Sequence, residues 1–165
     1  MRAVRFGVIG SLVAGMLALG MVAAMADTGA GTGQTPLSAA LGFTVNSNGT
    51  GNQLNYKADP NGANAGFSAH CHSFFKDRFG TTKQGFPEVN IAAACTDENG
   101  VTVFLHSQFV DKGEPGTNDW VCIQWSYTRP VATNYFIHDM GTILAGNIQI
   151  LENSDGSITG QMLSS

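Results

Sequence analysis

Short segments of alternating polarity, separated by turn-forming residues, constrain the fold of this chain most. The segment Val101–Val110 places Val101, Val103, Leu105 and Phe109 on one face and Thr102, His106 and Gln108 on the other, with Phe104 and Val110 as exceptions. The segment Trp120–Thr128 alternates in the same way. A period of two residues is typical of a half-buried β-strand.

The same pattern recurs along most of the chain. The predicted strands are Leu41–Asn46, Gln53–Lys57, Phe67–Phe75, Val89–Thr96, Val101–Val110, Trp120–Thr128, Ile143–Leu151 and Ser157–Met162. Asn99-Gly100 between two of them favours a tight hairpin, since Gly and Asn tolerate a positive φ. No segment shows a helical stripe. We therefore expect an all-β fold over residues 41–165, a single antiparallel β-sandwich or barrel of about eight short strands.

Residues 1–26 have the layout of a secretory signal peptide. Arg2 and Arg5 precede an uncharged apolar run, and the run ends in Ala24-Met25-Ala26, a small-x-small cleavage site. Gly residues dilute the run, which favours a cleaved signal over a retained membrane anchor. The pattern predicts a secreted or periplasmic protein with no membrane segment after cleavage. Residues 27–40, rich in Gly, are predicted to form a flexible tail.

Charge narrows the classes of partner. Cleavage leaves 139 of the 165 residues. These contain six of the eight basic residues and all twelve acidic ones, so their net charge is −6. Binding to nucleic acid or to an anionic membrane depends on clustered cations, so both are disfavoured. The expected partner is an unknown extracellular molecule or a second copy of the chain.

The chain has three cysteines, Cys71, Cys95 and Cys122. In an oxidising compartment two of them are expected to pair, which leaves one thiol over. Three pairings are open. Side-chain parity places Cys71 and Cys95 on inward faces and Cys122 on a more polar face, so it favours a Cys71–Cys95 disulfide with Cys122 free. A nucleophilic role for Cys122 would need a nearby base, and no local signature supplies one.

Histidines indicate a candidate metal site. His70 and His72 share one face of a predicted strand, and His106 lies on the polar face of another. Three imidazoles with an open position would bind Zn or Cu, and His138-Asp139 offers further ligands. The alternative is that these are ordinary strand histidines, and the sequence favours it.

The segment between two predicted strands, residues 111–119, is rich in oxygen ligands. Asp111, Glu114 and Asp119 in a Gly-rich loop would suit Ca²⁺, although their spacing differs from that of an EF-hand. The alternative is that Glu114-Pro115-Gly116 builds a turn and the aspartates cap loop amides.

The phrase Asp111-Lys112-Gly113-Glu114-Pro115-Gly116-Thr117-Asn118-Asp119, followed by Gly146-Asn147-Ile148-Gln149, resembles a group of small secreted bacterial β domains. The resemblance covers roughly residues 67–150 and implies the fold and secretion, but no activity.

No complete catalytic set is evident in the sequence, so we expect a secreted, non-enzymatic extracellular β-sandwich module, binding or structural, that acts on a surface, a matrix or a partner protein. Two alternatives stay open. One is a metal-binding protein or metal-dependent enzyme that uses the strand histidines. The other is a Ca²⁺-stabilised or glycan-binding β domain, for which Trp120, Trp125, Tyr127 and Tyr135 offer aromatic rings. Strand aromatics are more often core, and we expect this of Trp125 and Tyr127.

Overall fold

The computed structural model describes residues 28–113, 116, 118–129, 134–152 and 158–161, with the backbone alone for 28–32, 151–152 and 158–161. These residues form strands and turns, and none of them forms a helix that could span a bilayer. The strands are β1 (Thr28–Gln34), β2 (Ala40–Asn46), β3 (Gln53–Lys57), β4 (Ser68–Thr81), β5 (Pro87–Asp97), β6 (Thr102–Val110), β7 (Trp120–Ser126), β8 (Ile137–Thr142), β9 (Ala145–Gly146), β10 (Gln149–Glu152) and β11 (Ile158–Gln161). The all-β prediction is confirmed.

Within the described residues, nine strands follow one another in one antiparallel sheet, in the order β10-β11-β2-β3-β4-β5-β6-β7-β8. The sheet curls into a half-barrel. β1 pairs with β2 along its whole length, and its last two residues also pair with β9. Because β9 follows β8 closely in the chain, this pairing brings the β8 end of the sheet back towards β2.

The core lies on the concave side of the curled sheet and is built from rows of directly opposed residues. One such row is Ala93, Leu105, Trp125 and Ile137, contributed by β5, β6, β7 and β8. All four side chains are buried. In β2, β3, β5, β6 and β7, alternate residues point outward, so the period of two seen in the sequence is the period of burial. This regularity lets the parity of a residue predict its face.

Cys71 and Cys95 lie directly opposite each other on β4 and β5 and form a disulfide. Both are buried in the core, whereas Cys122 is a half-buried free thiol. The register of β4 shifts between Cys71 and Ser73 and again between Phe74 and Lys76. Because both shifts follow Cys71, they leave its parity with Cys95 unchanged. The bridge closes a separation of 24 residues, which stabilises the fold by about 3 kcal/mol in the chain-entropy model.

The structure corrects the predicted flexible tail. Residues Thr28–Gln34 form β1 and pair with β2, so the sheet begins well before Leu41. The sequence Thr-Gly-Ala-Gly-Thr-Gly-Gln carries no alternating apolar face. Its pairing depends on backbone hydrogen bonds to a neighbour, and such bonds leave little trace in side-chain pattern. The predicted signal peptide lies outside the described residues.

β8 is a strand that the sequence pattern did not indicate. Its inward positions are Ile137, Asp139 and Gly141, so only one of the three is a large apolar residue. Gly141 has φ +147°, and a β-carbon there would lie 3.1 Å from Cγ of Pro36. The small residue allows the β1–β2 turn to pack against β8. The predicted strand Ile143–Leu151 is instead divided into β9 and β10.

Asp139 holds this junction together from inside the core. Its side chain is completely buried. One carboxylate oxygen accepts hydrogen bonds from the Thr35 hydroxyl and from the Tyr56 hydroxyl, the latter at 3.1 Å, and the other accepts from the Leu37 amide at 3.0 Å. A buried carboxylate is costly unless it is satisfied by donors, and here three donors converge on it. The carboxylate therefore ties the β1–β2 turn and β3 to β8.

Burial, and then the nearby Asp139 carboxylate, raise the pKa of Tyr56 well above its ordinary value. Its contribution to stability is thus complete below pH 10, where the unfolded phenol is also neutral. It is lost at higher pH, because the unfolded phenol ionises while the folded one keeps its proton.

We expect Tyr56→Phe to lower the free energy of unfolding at pH 7 by about 1.5–3 kcal/mol, since a hydrogen bond to a charged group is lost. Urea titrations between pH 8 and 11 measure this. The wild type should lose up to about 1.4 kcal/mol per pH unit above pH 10 from this group, and the variant should lack that component. Tyr127→Phe, at an exposed position, is the matched control. A variant with the wild-type alkaline slope would contradict the assignment.

Candidate functional site

The structure separates the predicted histidine ligands. His70 and His72 lie on the outer side of β4 with ring centroids 5.7 Å apart, and Nδ1 of His70 is 2.5 Å from Oδ1 of Asn55. His106 lies on β6, 3.3 Å from Oε1 of Gln124. In the part of the chain that the structure describes, no three His, Cys, Asp or Glu side chains form a group that could hold a metal ion.

The predicted site of His70, His72 and His106 is therefore wrong as a three-ligand centre. In the β4–β5–β6 ladder, His106 lies opposite Ala92, and Ala92 lies opposite Lys76, well along β4 from the two histidines. Parity also divides the expected His138-Asp139 pair, because His138 points outward and Asp139 points into the core.

A shallow groove of about 570 Å³ runs beside His70 over β2, β3, β4 and β5. The small residues that line part of the groove are Gly33, Ala40 and Gly42. The polar side chains along it are those of Asn55, Lys57, His70, Thr96 and Glu98. Glu98 is held in place because Oε2 accepts the Ser68 amide at 2.7 Å and Oε1 accepts the Asn99 amide group at 3.2 Å. The groove is open rather than enclosed, and most of its lining surface is apolar.

The two described aspartates of the predicted calcium loop are occupied by backbone amides. Asp111 accepts hydrogen bonds from Gly113 N at 2.8 Å and Ile150 N at 2.9 Å. Asp119, which is fully buried, accepts from Lys112 N at 2.8 Å and Ile148 N at 2.6 Å. Each of the four carboxylate oxygens has a donor. The amide-capping alternative is thus the arrangement seen for these two residues, while Glu114 lies outside the described residues.

These contacts join the Asp111–Asp119 segment to the segment that begins with Gly146-Asn147-Ile148-Gln149. The aspartates hold alternate amides of the later segment, those of Ile148 and Ile150. A β-carbon at Gly116 would fall on Asn147, so only glycine allows the two segments to approach this closely. The two sequence phrases therefore mark two segments that pack against each other.

Exposed apolar side chains lie along β8 and beside its two ends, and we call this set the β8 face. Its members, 39–56% exposed, are Tyr127, Tyr135, Phe136, Met140 and Leu144. Tyr127 and Phe136 stack with ring centroids 4.5 Å apart, and Tyr135 contacts the His138 ring at 4.8 Å. The core position expected for Tyr127 is wrong, since Tyr127 lies beyond the end of β7. Trp125 is buried as expected.

Beside this face, the structure brings together two residues that sequence reasoning left apart. Sγ of Cys122 is 3.7 Å from Nε2 of His138. Burial, and to a lesser extent the Asp139 carboxylate, raise the pKa of the Cys122 thiol. An activated nucleophile needs a lowered pKa, so this pair lacks the electrostatics of a catalytic thiolate. The sequence pattern did not indicate β8 as a strand, so the contact between Cys122 and His138 was not predicted. His138, Met140 and Leu144 do occupy even-numbered positions, the spacing of side chains on one face of a strand.

Comparison of this chain with family models, with curated proteins and with solved structures gave no match. The resemblance to secreted bacterial β domains stays a prediction.

We expect Asp119→Asn to lower the free energy of unfolding by about 1–3 kcal/mol, because one of two buried amides loses its acceptor. Urea unfolding measures this, with Asp111→Asn at the half-buried neighbour as the comparison and a smaller loss. The wild-type melting temperature should be the same with Ca²⁺ and with a chelator, because the oxygens are already committed. A Ca²⁺-dependent rise that Asp119→Asn abolishes would show that the loop binds calcium.

Proposed function

We propose that this protein is a secreted, non-enzymatic β domain with a binding or structural role, and that it associates with a second copy of itself through the β8 face. The observation that carries the proposal is the number of large exposed apolar side chains along β8 and beside its two ends. Exposed apolar patches bordered by polar residues mark interaction surfaces. β8 also ends the nine-strand order, and strands at the edge of a sheet are prone to association.

The distribution of charge favours a second copy as the occupant. The mature chain carries a net charge of −6, so two copies repel each other over most of their surfaces. In the described segments 118–129 and 134–144, the acidic residues are Asp119 and Asp139, and both are buried. Arg129 and His138 are exposed there. Contact through the β8 face directs the acidic surfaces of the two copies away from each other.

The roles of the carboxylates support a non-enzymatic protein. Asp97 accepts the amides of Asn99 and Val101 in the β5–β6 turn, at 2.9 and 2.7 Å. Asp111, Asp119 and Asp139 hold loops in the same manner. Carboxylates committed to backbone amides are structural anchors and are poorly placed to exchange protons with a substrate.

Secretion is the part of the proposal that rests on the sequence. The leader pattern of residues 1–26 and the Cys71–Cys95 disulfide both suit an oxidising compartment outside the cytosol.

Sedimentation velocity on the exported protein tests the proposal. The exported chain should begin at Asp27 by mass spectrometry, and the wild type should form a dimer as its concentration rises. Leu144→Glu places like charges in the interface, so the dimer should weaken by at least about tenfold. Val101→Glu is the matched control, because Val101 is a similarly exposed apolar residue at the opposite end of the sheet from Leu144.

Two results would overturn the proposal. A wild type that stays monomeric at all concentrations would exclude self-association. Equal weakening by Leu144→Glu and Val101→Glu would show that added charge alone opposes association and that the β8 face has no special part.

A further inference from the structure

Three side chains with soft or borderline metal-ligating atoms meet on the outer side of β7 and β8. Cys122 lies directly opposite Met140 in the strand register. His138 lies two residues before Met140 and therefore on the same side of β8, with Nε2 3.7 Å from Sγ of Cys122. Directly opposed residues of antiparallel strands have Cβ atoms about 5 Å apart, so the thioether can reach the same point as the thiol and the imidazole.

We propose that Cys122, His138 and Met140 bind one Cu(I) ion. A thiolate and a thioether are the ligands that select Cu(I) among biological metals, and imidazole suits copper as well. The set contains no carboxylate, so it offers little to Ca²⁺ or Mg²⁺, which require oxygen. A thioether is also outside the usual Cys, His, Asp and Glu ligands of zinc.

The placement of the three residues suits uptake of an ion from solvent. Met140 is 53% exposed, and Cys122 is half-buried and outside the disulfide. The Tyr135 ring lies against the imidazole of His138, at 58° to it, and limits its rotation. On binding, the S–H bond of Cys122 breaks, an S–Cu bond forms and the proton passes to solvent. Copper stays in the +1 state throughout, so no oxidant or reductant is consumed.

Anaerobic titration of the mature protein with Cu(I), in competition with a chromophoric Cu(I) chelator, tests the site. Ascorbate keeps the copper reduced without reducing the Cys71–Cys95 disulfide. We expect one Cu(I) per chain. Cys122→Ser, His138→Asn and Met140→Leu should each weaken binding by at least about tenfold. His70→Asn, at an exposed histidine on β4, is the matched control and should bind as the wild type does.

Two further measurements separate loss of a ligand from loss of structure. Met140→Leu keeps an apolar side chain of similar volume, so its melting temperature should equal that of the wild type. X-ray absorption should show sulfur and nitrogen ligands in the wild type and fewer sulfur ligands in the Met140→Leu variant.

The copper proposal does not rest on self-association. The Leu144→Glu variant distinguishes failure of copper binding from failure of dimer formation. We expect that variant to bind Cu(I) as a monomer, with the affinity that the wild type shows at concentrations where it is monomeric. Failure of the wild type to take up one equivalent of Cu(I) would overturn the proposal. So would uptake that Cys122→Ser and Met140→Leu leave unchanged.

Discussion

The buried carboxylate of Asp139 is the interaction on which the arrangement of this molecule depends. A curled sheet must bring distant strands together, and no local hairpin joins the β1–β2 turn to β8. Asp139 makes that connection with three hydrogen bonds, from Thr35, Leu37 and Tyr56. Because the carboxylate points inward, the parity of β8 places His138 and Met140 outside. One buried charge thus sets the junction of the sheet and also decides which side chains β8 presents to solvent.

The same device recurs at the other loops of the half-barrel. Asp97 organises the β5–β6 turn, while Asp111 and Asp119 hold the amides of Ile148 and Ile150 across a long separation in sequence. An ionised carboxylate accepts several strong hydrogen bonds, so it can replace the ladder bonds that irregular segments lack. Asp111 and Asp119, which are candidate calcium ligands in the sequence, therefore hold backbone amides instead.

Much of the fold could be predicted from alternation alone, since β2, β3, β5, β6 and β7 present apolar side chains to the core and polar ones to solvent. The Cys71–Cys95 pair followed from the same parity. β1 could not be found in this way, because Gly and Thr give it no apolar face. β8 was missed because an aspartate and a glycine occupy two of its three inward positions, and these residue types argue against a buried strand.

The candidate site was less predictable than the fold. His70, His72 and His106 share outward parity, but parity says nothing about distance along the ladder, and two register shifts in β4 lie between them. Cys122 and His138 are 16 residues apart and meet only through the β7–β8 register. The closeness of Gly116 and Asn147 has the same origin, since contacts between distant segments depend on the tertiary fold.

We propose that this domain acts through the outer side of β8. Amide hydrogen exchange of the mature protein, measured at low and at high protein concentration, tests this proposal directly. We expect added protection at high concentration in residues 120–129 and 134–144, with the groove beside His70 unchanged. Protection that appears instead along that groove, or none in residues 134–144, would contradict it.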